Sequence, residues 1–321
     1  EGSAAKNFDA LHTLIGSHPD YVMFCSDDKH PDDLLLGHIN QLVKRALNLG
    51  YDLFNILQIA CINPIKHYQL TTGQMCKGDP ADLILVKDLS SFDVLSTWID
   101  GRQVFDGLEV HLPDVDIPVI NSFGITIFKK EDLTLNLISG NAKIIIAING
   151  SLLTGQEEMK MSEGVFESDI ERDILKFVVV NRYSTAIPAI ALIKGFGLKK
   201  GAIASSVAHD SHNIVAVGTK DEDLYSCIDA IIRHKGGVAA AEMDDIHILP
   251  LPIGGLMSSD TAETVGAKYE LMDHFVKSSL GSTLTSPFMT LSFMALLVIP
   301  SLKLSDKGVF NGTTFEFVPL Q

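Results

Sequence analysis

Two adjacent carboxylates near the start of the chain, Asp27 and Asp28, are well placed to do chemistry. They follow an apolar run, Tyr21–Phe24, that predicts a short buried strand. A strand that ends in small polar and acidic residues is typical of the mouth of an α/β active site, where a carboxylate can bind a divalent metal ion or transfer protons. The alternative is that both aspartates cap the turn that follows. His30 fits either a pocket wall or a hydrogen-bonded loop.

A second polar cluster occupies residues 209–213, between two predicted strands. Its two imidazoles and one carboxylate, from His209, Asp210 and His212, could bind a metal ion, shape a substrate pocket or contact another domain. Loops also favour Asp, Ser and Asn for reasons of turn geometry alone, so the same residues fit a purely structural loop.

Composition restricts the class of protein. The 321 residues carry a net charge of −15 without a clustered basic patch, so we expect no binding to nucleic acid or to a membrane. The apolar run 295–299 is too short to span a bilayer. Four cysteines without a CxxC pair argue against a disulfide framework or a zinc ribbon and favour the cytoplasm. Because the first residue is Glu1 and not Met, we expect a recombinant product, a processed product or a fragment.

Hydrophobic periodicity predicts helices near the start of the chain. Asp33 is predicted to cap a helix that ends at Gly50, and a second helix is predicted over 53–62. Asn63 is then predicted to cap a short helical turn with Pro64 at its first position. These βα units form the first predicted domain, residues 1–62.

A small β module is predicted to follow over residues 63–118. The pair Asp100-Gly101 is a strong hairpin signal, and Pro113 and Pro118 mark a linker at the end of the module. The three predicted strands are Ala81–Val86, Val94–Ile99 and Gln103–Phe105.

From residue 119 onward the pattern predicts a mixed α+β domain. Two helices are predicted there, Asp221–His234 and Thr261–Ser278. The predicted strands are Ile125–Phe128, Lys143–Ile148, Leu175–Val180, Ala202–Val207, Ile214–Val217, Val238–Ala241 and Ile246–Leu249. The expected fold class is therefore α/β followed by α+β.

Several segments of the chain together resemble one known family. They are Phe24–Leu35 with Gly37 and His38, Asn63-Pro64 with Gly78–Leu83, Lys194–Ala204, Ala208–Asn213 with Gly218 and Thr219, Leu249–Ile253, and Gly255–Ser258. This combination resembles the C-terminal portion of the adenine deaminases, which are metal-dependent amidohydrolases. The resemblance implies the end of a distorted (β/α)8 barrel, a β-sandwich made from both chain ends, and an extra C-terminal α+β domain.

The same resemblance implies an activity and a set of site residues. The activity is hydrolysis of adenine to hypoxanthine and ammonia in purine salvage, by a homo-oligomer that uses manganese or iron rather than zinc. Asp27 is implied as metal ligand and proton carrier. Asp28 would orient the loop or a neighbouring ligand, and Ser3 would face the purine. Because the family's His-x-His pair is absent, we expect the chain alone to hold an incomplete metal centre.

One segment departs from the family pattern. Where the family commonly has Arg-His, this chain has Asn181-Arg182-Tyr183, so no histidine role transfers to that position. Arg182 fits an ion pair with an acidic group near the site mouth, or a plain surface salt bridge. Two other functions stay open: a different cyclic amidine or amide hydrolase of the amidohydrolase superfamily, and a non-catalytic module that serves assembly.

Overall fold

A computed structural model describes residues 1–3, 6–113, 115 and 117–321. Of the predicted linker between Pro113 and Pro118, Asp114 and Asp116 lie outside the described residues. The helices are α1 Phe8–Leu11, α2 Leu14–Ser17, α3 Pro31–Leu36, α4 Ile39–Asn48, α5 Leu53–Leu57, α6 Asn63–Tyr68, α7 Asp221–His234, α8 Ala262–Ser278 and α9 Pro287–Phe293. The strands are β1 Leu83–Val86, β2 Val94–Ile99, β3 Arg102–Phe105, β4 Asn136–Leu137, β5 Gly140–Ala147, β6 Thr154–Met161, β7 Gly164–Val165, β8 Leu175–Val180, β9 Ala189–Lys194, β10 Ala202–Ser205, β11 Ile214–Gly218, β12 Gly237–Glu242, β13 Asp245–Pro250, β14 Leu302–Ser305, β15 Gly308–Asn311 and β16 Glu316–Phe317.

The chain folds into two compact units. The first comprises Glu1–Gly2, Lys6–Lys29 and Leu36–Asp116, and the second comprises Ser3–Ala5, His30–Leu35 and Ile117–Gln321. The predicted division into residues 1–62, 63–118 and 119–321 stays a prediction. Within the described ranges, no helix has both the length and the apolar character needed to cross a membrane.

The helices of the first unit pack around a small apolar core. Helix α4 buries Leu42, Val43 and Ala46 on one face, as its 3.6-residue periodicity predicts. Helix α5 begins at Asp52, whose carboxylate accepts hydrogen bonds from the backbone N–H groups of residues 54 and 55. Its buried residue Ile56 packs in the same core.

Two sequence predictions for the first fifty residues are wrong. The predicted helix from Asp33 to Gly50 is two helices, α3 and α4, because the chain turns at Gly37 with a φ of +137°. The predicted strand Tyr21–Phe24 does not form. Tyr21 ends a 3₁₀ turn with 87% of its surface exposed, and Val22–Phe24 run on as irregular backbone.

Asn63 explains how this irregular segment is held. Its side-chain Nδ2 donates to the carbonyl oxygens of Pro19 at 2.6 Å and Val22 at 2.8 Å. The predicted role of Asn63 as a helix cap is therefore wrong, because its amide stabilises a distant stretch of backbone. Helix α6 continues directly from a π-helical turn over Gln58–Ile62.

The three-stranded sheet of the first unit confirms the three strands that were predicted between residues 81 and 105. Strands β1, β2 and β3 pair antiparallel in sequence order. Asp100 and Gly101 have φ values of +50° and +74°, which a tight hairpin of this kind requires. The Asp82 carboxylate accepts hydrogen bonds from the N–H groups of Gly73 at 2.8 Å and Asp100 at 2.7 Å, so it ties the turn to the preceding loop.

The second unit is built on an eight-stranded sheet. Its strands lie in the order β13-β12-β10-β11-β8-β9-β5-β6, and every neighbouring pair is antiparallel except β5 with β9. Helix α7 covers one face, while α8, α9 and the β14–β15 hairpin cover the other. The chain is therefore a mixed α/β protein with one large sheet.

Alternate residues of strand β8 pack on opposite faces of the sheet. Phe177 and Val179 pack in the core beneath α8 and α9, and Val178 and Val180 pack in the core beneath α7. All six residues of the strand are buried, so it reads as a continuous apolar run and not as an alternating one.

Most predicted elements of the second unit are confirmed, with one exception. Helix α7, helix α8 and the central strands agree with the prediction. The predicted strand Ile125–Phe128 is wrong, because the N–H groups of Gly124 and Ile125 both donate to the single carbonyl of Arg182 and start no ladder. Ile125 and Phe128 are nevertheless buried in the core beneath α7, which accounts for their apolar character.

Candidate functional site

The predicted catalytic loop lies in the first unit. Ser26 and His38 are joined through Ser26 Oγ and His38 Nε2 at 2.6 Å. Burial, with a smaller contribution from Lys29, lowers the pKa of His38, so the imidazole is neutral at pH 7. The hydrogen bond fixes the loop immediately before Asp27.

Asp27 itself is exposed and has a φ of +44°. Its carbonyl accepts a hydrogen bond from the N–H of Lys29 at 3.0 Å. Within the described part of the chain its carboxylate has no hydrogen-bond or ion-pair partner, so the alternative that Asp27 caps a turn through its side chain is not supported. Aspartate adopts this left-handed backbone conformation more readily than most residues.

Asp28 is partly buried against the start of the chain. A Cβ placed on Gly2 would lie 1.6 Å from Asp28 Oδ1 and 2.8 Å from the carbonyl oxygen of Ser26. Only glycine leaves room for this carboxylate, so Asp28 is positioned by close contact with the backbone of residue 2. This arrangement is compatible with the predicted orienting role.

A cavity of about 190 Å³ lies beside this loop in the first unit. It is lined mainly by apolar side chains, including Phe8, Ile15 and Phe24, and it reaches Cys25. Neither Asp27 nor Asp28 lines this cavity. Its volume is also below the range of about 300–1,000 Å³ that is typical of small-molecule sites.

Ser3 and His30 belong to the second unit, where they form a buried network. Ser3 Oγ donates to Asp33 Oδ2 at 2.5 Å and accepts from the N–H of His30 at 2.9 Å. His30 Nε2 lies 3.1 Å from the hydroxyl of Tyr269 on α8. Burial first, and then the charges of Asp32, Asp273 and Asp33, raise the pKa of Tyr269 well above its usual value. The hydroxyl therefore stays protonated.

The structure brings the residues of the 209–213 loop together with Arg182 in the second unit. The His209 and His212 rings lie 6.1 Å apart, centroid to centroid, and His209 stacks on Phe293 at 4.5 Å. Asp210 is exposed, with its Oδ1 3.8 Å from His209 Nδ1. Burial, and then the positive charges of His209 and Arg182, lower the pKa of His212.

Arg182 is buried, so the alternative of a plain surface salt bridge is wrong. Only 5% of the residue is exposed. Its Nη1 donates to the carbonyl of Gly254 at 2.8 Å and its Nη2 to the hydroxyl of Tyr183 at 3.2 Å. The guanidinium also lies over the rings of Phe123 and Tyr183, at 5.4 and 4.9 Å from their centroids.

The metal centre that the resemblance implies can be tested on the side chains present. Among residues 1–3, 6–113, 115 and 117–321, no three His, Cys, Asp or Glu side chains converge closely enough to hold a metal ion. Protein metal centres of this kind take three or more such ligands. The described residues therefore do not fit a complete metal centre, and Asp27 could supply one ligand only.

Several partners in these clusters were missed by the sequence analysis. Tyr183 joins Arg182 to the loop by donating to the carbonyl of Ser211 at 2.7 Å, and Asn213 Oδ1 accepts from the N–H of Arg182 at 3.3 Å. Tyr183 and Asn213 directly follow Arg182 and His212 in the sequence, and this adjacency could have indicated their role as partners. Tyr269 lies 239 residues from His30, and the sequence holds no signal for that contact.

Comparison with known proteins identifies the protein families that the two parts of the chain match. Residues 1–104, which contain Asp27, Asp28 and the β module, match the amidohydrolase family. Residues 151–316, which contain the large sheet, Arg182 and the His209 loop, match the adenine deaminase C-terminal domain. The chain belongs to this adenine deaminase C-terminal domain family, so the resemblance noted in the sequence is confirmed.

Relatives with this family name share much of the sequence. The chain is 47% identical over 99% of its length to an adenine deaminase from Salinibacter ruber, and 50% identical over 99% to one from Sulfurovum. It is 46% identical over its whole length to an adenine deaminase from Methanosarcina mazei. It covers 59%, 58% and 60% of these three proteins, respectively.

Proposed function

We propose that this chain is part of an adenine deaminase, which hydrolyses adenine to hypoxanthine and ammonia. The observation that carries the proposal is the identity of 47–50% over 99% of the chain to two proteins of that name. The exposed carboxylate of Asp27 supports it, because the deamination of a purine needs a proton carrier.

Asp27 is the proposed catalytic residue. A carboxylate beside C6 of the base can accept a proton from the attacking water and deliver it to the leaving amine. Asp28 is proposed to hold this loop in place through its contact with Gly2. Ser3, His30, His209, Asp210 and His212 remain proposals as pocket residues, and Arg182 as a residue behind the pocket.

The proposed metal is manganese or iron, with Asp27 as one ligand. A divalent ion would supply hydroxide at neutral pH by lowering the pKa of bound water. Since the described side chains do not complete such a centre, no step is assigned through the metal. Purine salvage, a cytoplasmic location and a homo-oligomer complete the proposal, and the four free cysteines are compatible with a reducing compartment.

A chimera tests the role of Asp27. The matched segment of the Salinibacter ruber relative, 59% of that protein, is replaced by this chain, and adenine deamination is assayed by hypoxanthine formation. Asp27→Asn keeps the shape of the side chain but removes its ability to carry a proton. We expect a loss of at least about 100-fold in kcat, because general acid–base catalysis contributes that much or more.

The exposed residue Asp244 provides the matched control for this substitution. Asp244→Asn should leave kcat unchanged in the same chimera. A chimera whose Asp27→Asn variant retains nearly full activity would contradict the assignment. A folded chimera that is inactive on adenine but active on another cyclic amidine or amide would favour the broader amidohydrolase function.

Metal content provides a second test on the isolated chain. Purified chain incubated with Mn²⁺ or Fe²⁺ is desalted and its bound metal is measured by mass spectrometry. We expect much less than one ion per chain and no turnover of adenine, since three ligands do not converge among the described residues. Stoichiometric metal together with turnover would show that the assignment of an incomplete centre is wrong.

A further inference from the structure

Arg182 is a buried cation without an anionic partner. Its guanidinium donates to a carbonyl and to a tyrosine hydroxyl, and no carboxylate within the described ranges forms an ion pair with it. Its Nε is buried and has no hydrogen-bond partner among the described residues. Buried charges in proteins are normally paired, because an isolated charge in a low-dielectric interior is costly.

Two ring nitrogens on the 209–213 loop share this lack of a hydrogen-bond partner among the described residues. His209 Nε2 and His212 Nδ1 are buried and lack a partner on the part of the chain that the structure describes. The loop that carries them is bonded to the Arg182 segment through Asn213 and Tyr183. Three unsatisfied nitrogen atoms thus belong to one connected cluster.

The charge of the cluster decides between cationic and anionic ligands. Burial, and then the charges of His209 and Arg182, lower the pKa of His212, while the charge of Asp210 raises it. The buried positive charge of Arg182 would repel a metal cation held by the two imidazoles. An oxyanion would instead accept hydrogen bonds from Arg182 Nε–H and from imidazole N–H groups. The one acid on the loop, Asp210, lies 3.8 Å from His209 Nδ1, but its side chain is 81% exposed, so solvent screens its charge.

We infer that Arg182, His209 and His212 form a binding site for a small oxyanion, a carboxylate or phosphate group carried by a free ligand. The side chain of His209 is 25% exposed and Tyr183 is 44% exposed, so the cluster can be reached from solvent. Adenine, hypoxanthine and ammonia carry no oxyanion. Arg182, His209 and His212 are therefore assigned to a second ligand, in place of the purine-pocket role proposed for them above. The binding tests do not depend on deaminase activity.

The first experiment uses the unsubstituted chain. Inorganic phosphate and, separately, acetate are titrated into it by calorimetry at fixed ionic strength, with chloride as the reference anion. We expect saturable binding of at least one of the two probes, and the stronger one identifies the ligand class. In parallel, NMR titration of the histidine ring protons should show the pKa of His212 raised by the bound anion, because an adjacent negative charge stabilises the imidazolium.

Substitutions locate the site. Arg182→Lys retains the charge but loses the Nε–H, and His212→Asn retains a residue type that tolerates the φ of +50° found there. Each should weaken phosphate or acetate binding at least tenfold. Arg233→Lys and His274→Asn, at exposed positions of α7 and α8, are the matched controls and should bind as the unsubstituted chain does.

Three results would overturn the inference. The first is the absence of saturable binding of either probe to the unsubstituted chain. The second is binding that survives both Arg182→Lys and His212→Asn in variants whose circular dichroism is unchanged. The third is a dimer, detected by ultracentrifugation, that dissociates on Arg182→Lys while phosphate and acetate have no effect, since a carboxylate of a second copy would then be the counter-ion.

Discussion

Two buried lysines in the second unit differ in the partners of their ammonium groups. Lys176 is 3% exposed and its Nζ pairs with Asp221 at 2.5 Å and with the carbonyl of Leu133 at 2.7 Å. Lys303 is fully buried and its Nζ donates to two carbonyls, those of Leu152 at 2.9 Å and Phe293 at 3.1 Å. Burial without a carboxylate lowers the pKa of Lys303 to about 7.

This lowered pKa predicts a pH-dependent stability. Between pH 7 and about 10.5 the unfolded chain binds a proton at Lys303 that the folded chain does not, so the free energy of unfolding rises with pH by up to about 1.4 kcal/mol per unit. Below pH 7 both states are protonated and the cost is fully present. Lys303→Met should remove this dependence, as measured by urea unfolding at pH 6, 7.5 and 9.

The exposed Lys307 in the same hairpin is the control for this experiment. Lys307→Met should retain the pH dependence of the unsubstituted chain. The loss of two hydrogen bonds in Lys303→Met adds an offset that is the same at each pH, so only the slope is diagnostic. Equal slopes for the two variants would contradict the assignment.

For single residues, the sequence predicts which polar side chains cluster locally, but not which distant residues contact them. Asp27 with Asp28, and His209 with His212, are neighbours in the sequence, so their chemistry can be read directly. The burial of Arg182 could not be read, because the carbonyl of Gly254 and the ring of Phe123 reach it only through the fold.

One turn of the large sheet requires two backbone segments to approach each other closely at a glycine. At the end of the parallel pair β5–β9, Gly195 has a φ of +102° and its N–H donates to Asp173 at 2.8 Å. A Cβ at this position would lie 2.2 Å from the carbonyl oxygen of Ala147. The pairing of these two strands therefore depends on the missing side chain.

Gly195→Ala is expected to destabilise the protein by about 3 kcal/mol or more, because backbone strain and a clash with backbone act together. Gly150→Ala is the matched control, since Gly150 also has a positive φ of +71° but no described atom lies within 4 Å of its Cβ position. That change should cost about 1 kcal/mol from conformation alone. Denaturant unfolding of both variants measures the difference, and equal losses would contradict the steric argument.

Elements with strong patterns could be predicted, and polar or interrupted ones could not. Helix α7 matches its predicted bounds because its apolar residues recur with helical periodicity, and strand β8 matches because it is a continuous apolar run. The sequence pattern does not predict strand β6, since this edge strand buries only part of one face and its sequence is polar. The pattern predicts one helix in place of α3 and α4 because their apolar residues stay in helical phase across Gly37.

Across the whole molecule, the two units differ in how fully they cover their apolar residues. In the first unit Phe54 and Leu36 are each 76% exposed, and Ile84 and Leu85 on β1 are each 52% exposed. Neighbouring strand residues point to opposite faces, so β1 presents apolar surface on both sides. The central strands of the second unit are buried on both faces.

The Salinibacter ruber relative is longer than this chain, which covers 59% of it, and we expect its additional sequence to cover this apolar surface. We expect the isolated chain to bind more of the dye ANS per mole than the chimera that supplies the remainder of the Salinibacter ruber protein. Hydrogen exchange in β1 should slow in the chimera as well. Equal dye binding and equal exchange rates would indicate that the extra sequence does not contact the first unit.

The continuous burial of β8 also has a consequence for recovery after unfolding. Once the sheet opens, its Phe-Val-Val-Val stretch loses partners that come from β9 and β11 and becomes a segment able to form intermolecular β-structure. Lys176 is the one charged residue in the strand and opposes such association. Heated samples should therefore scatter light and fail to refold on cooling, with a dependence on protein concentration that a reversible transition would lack.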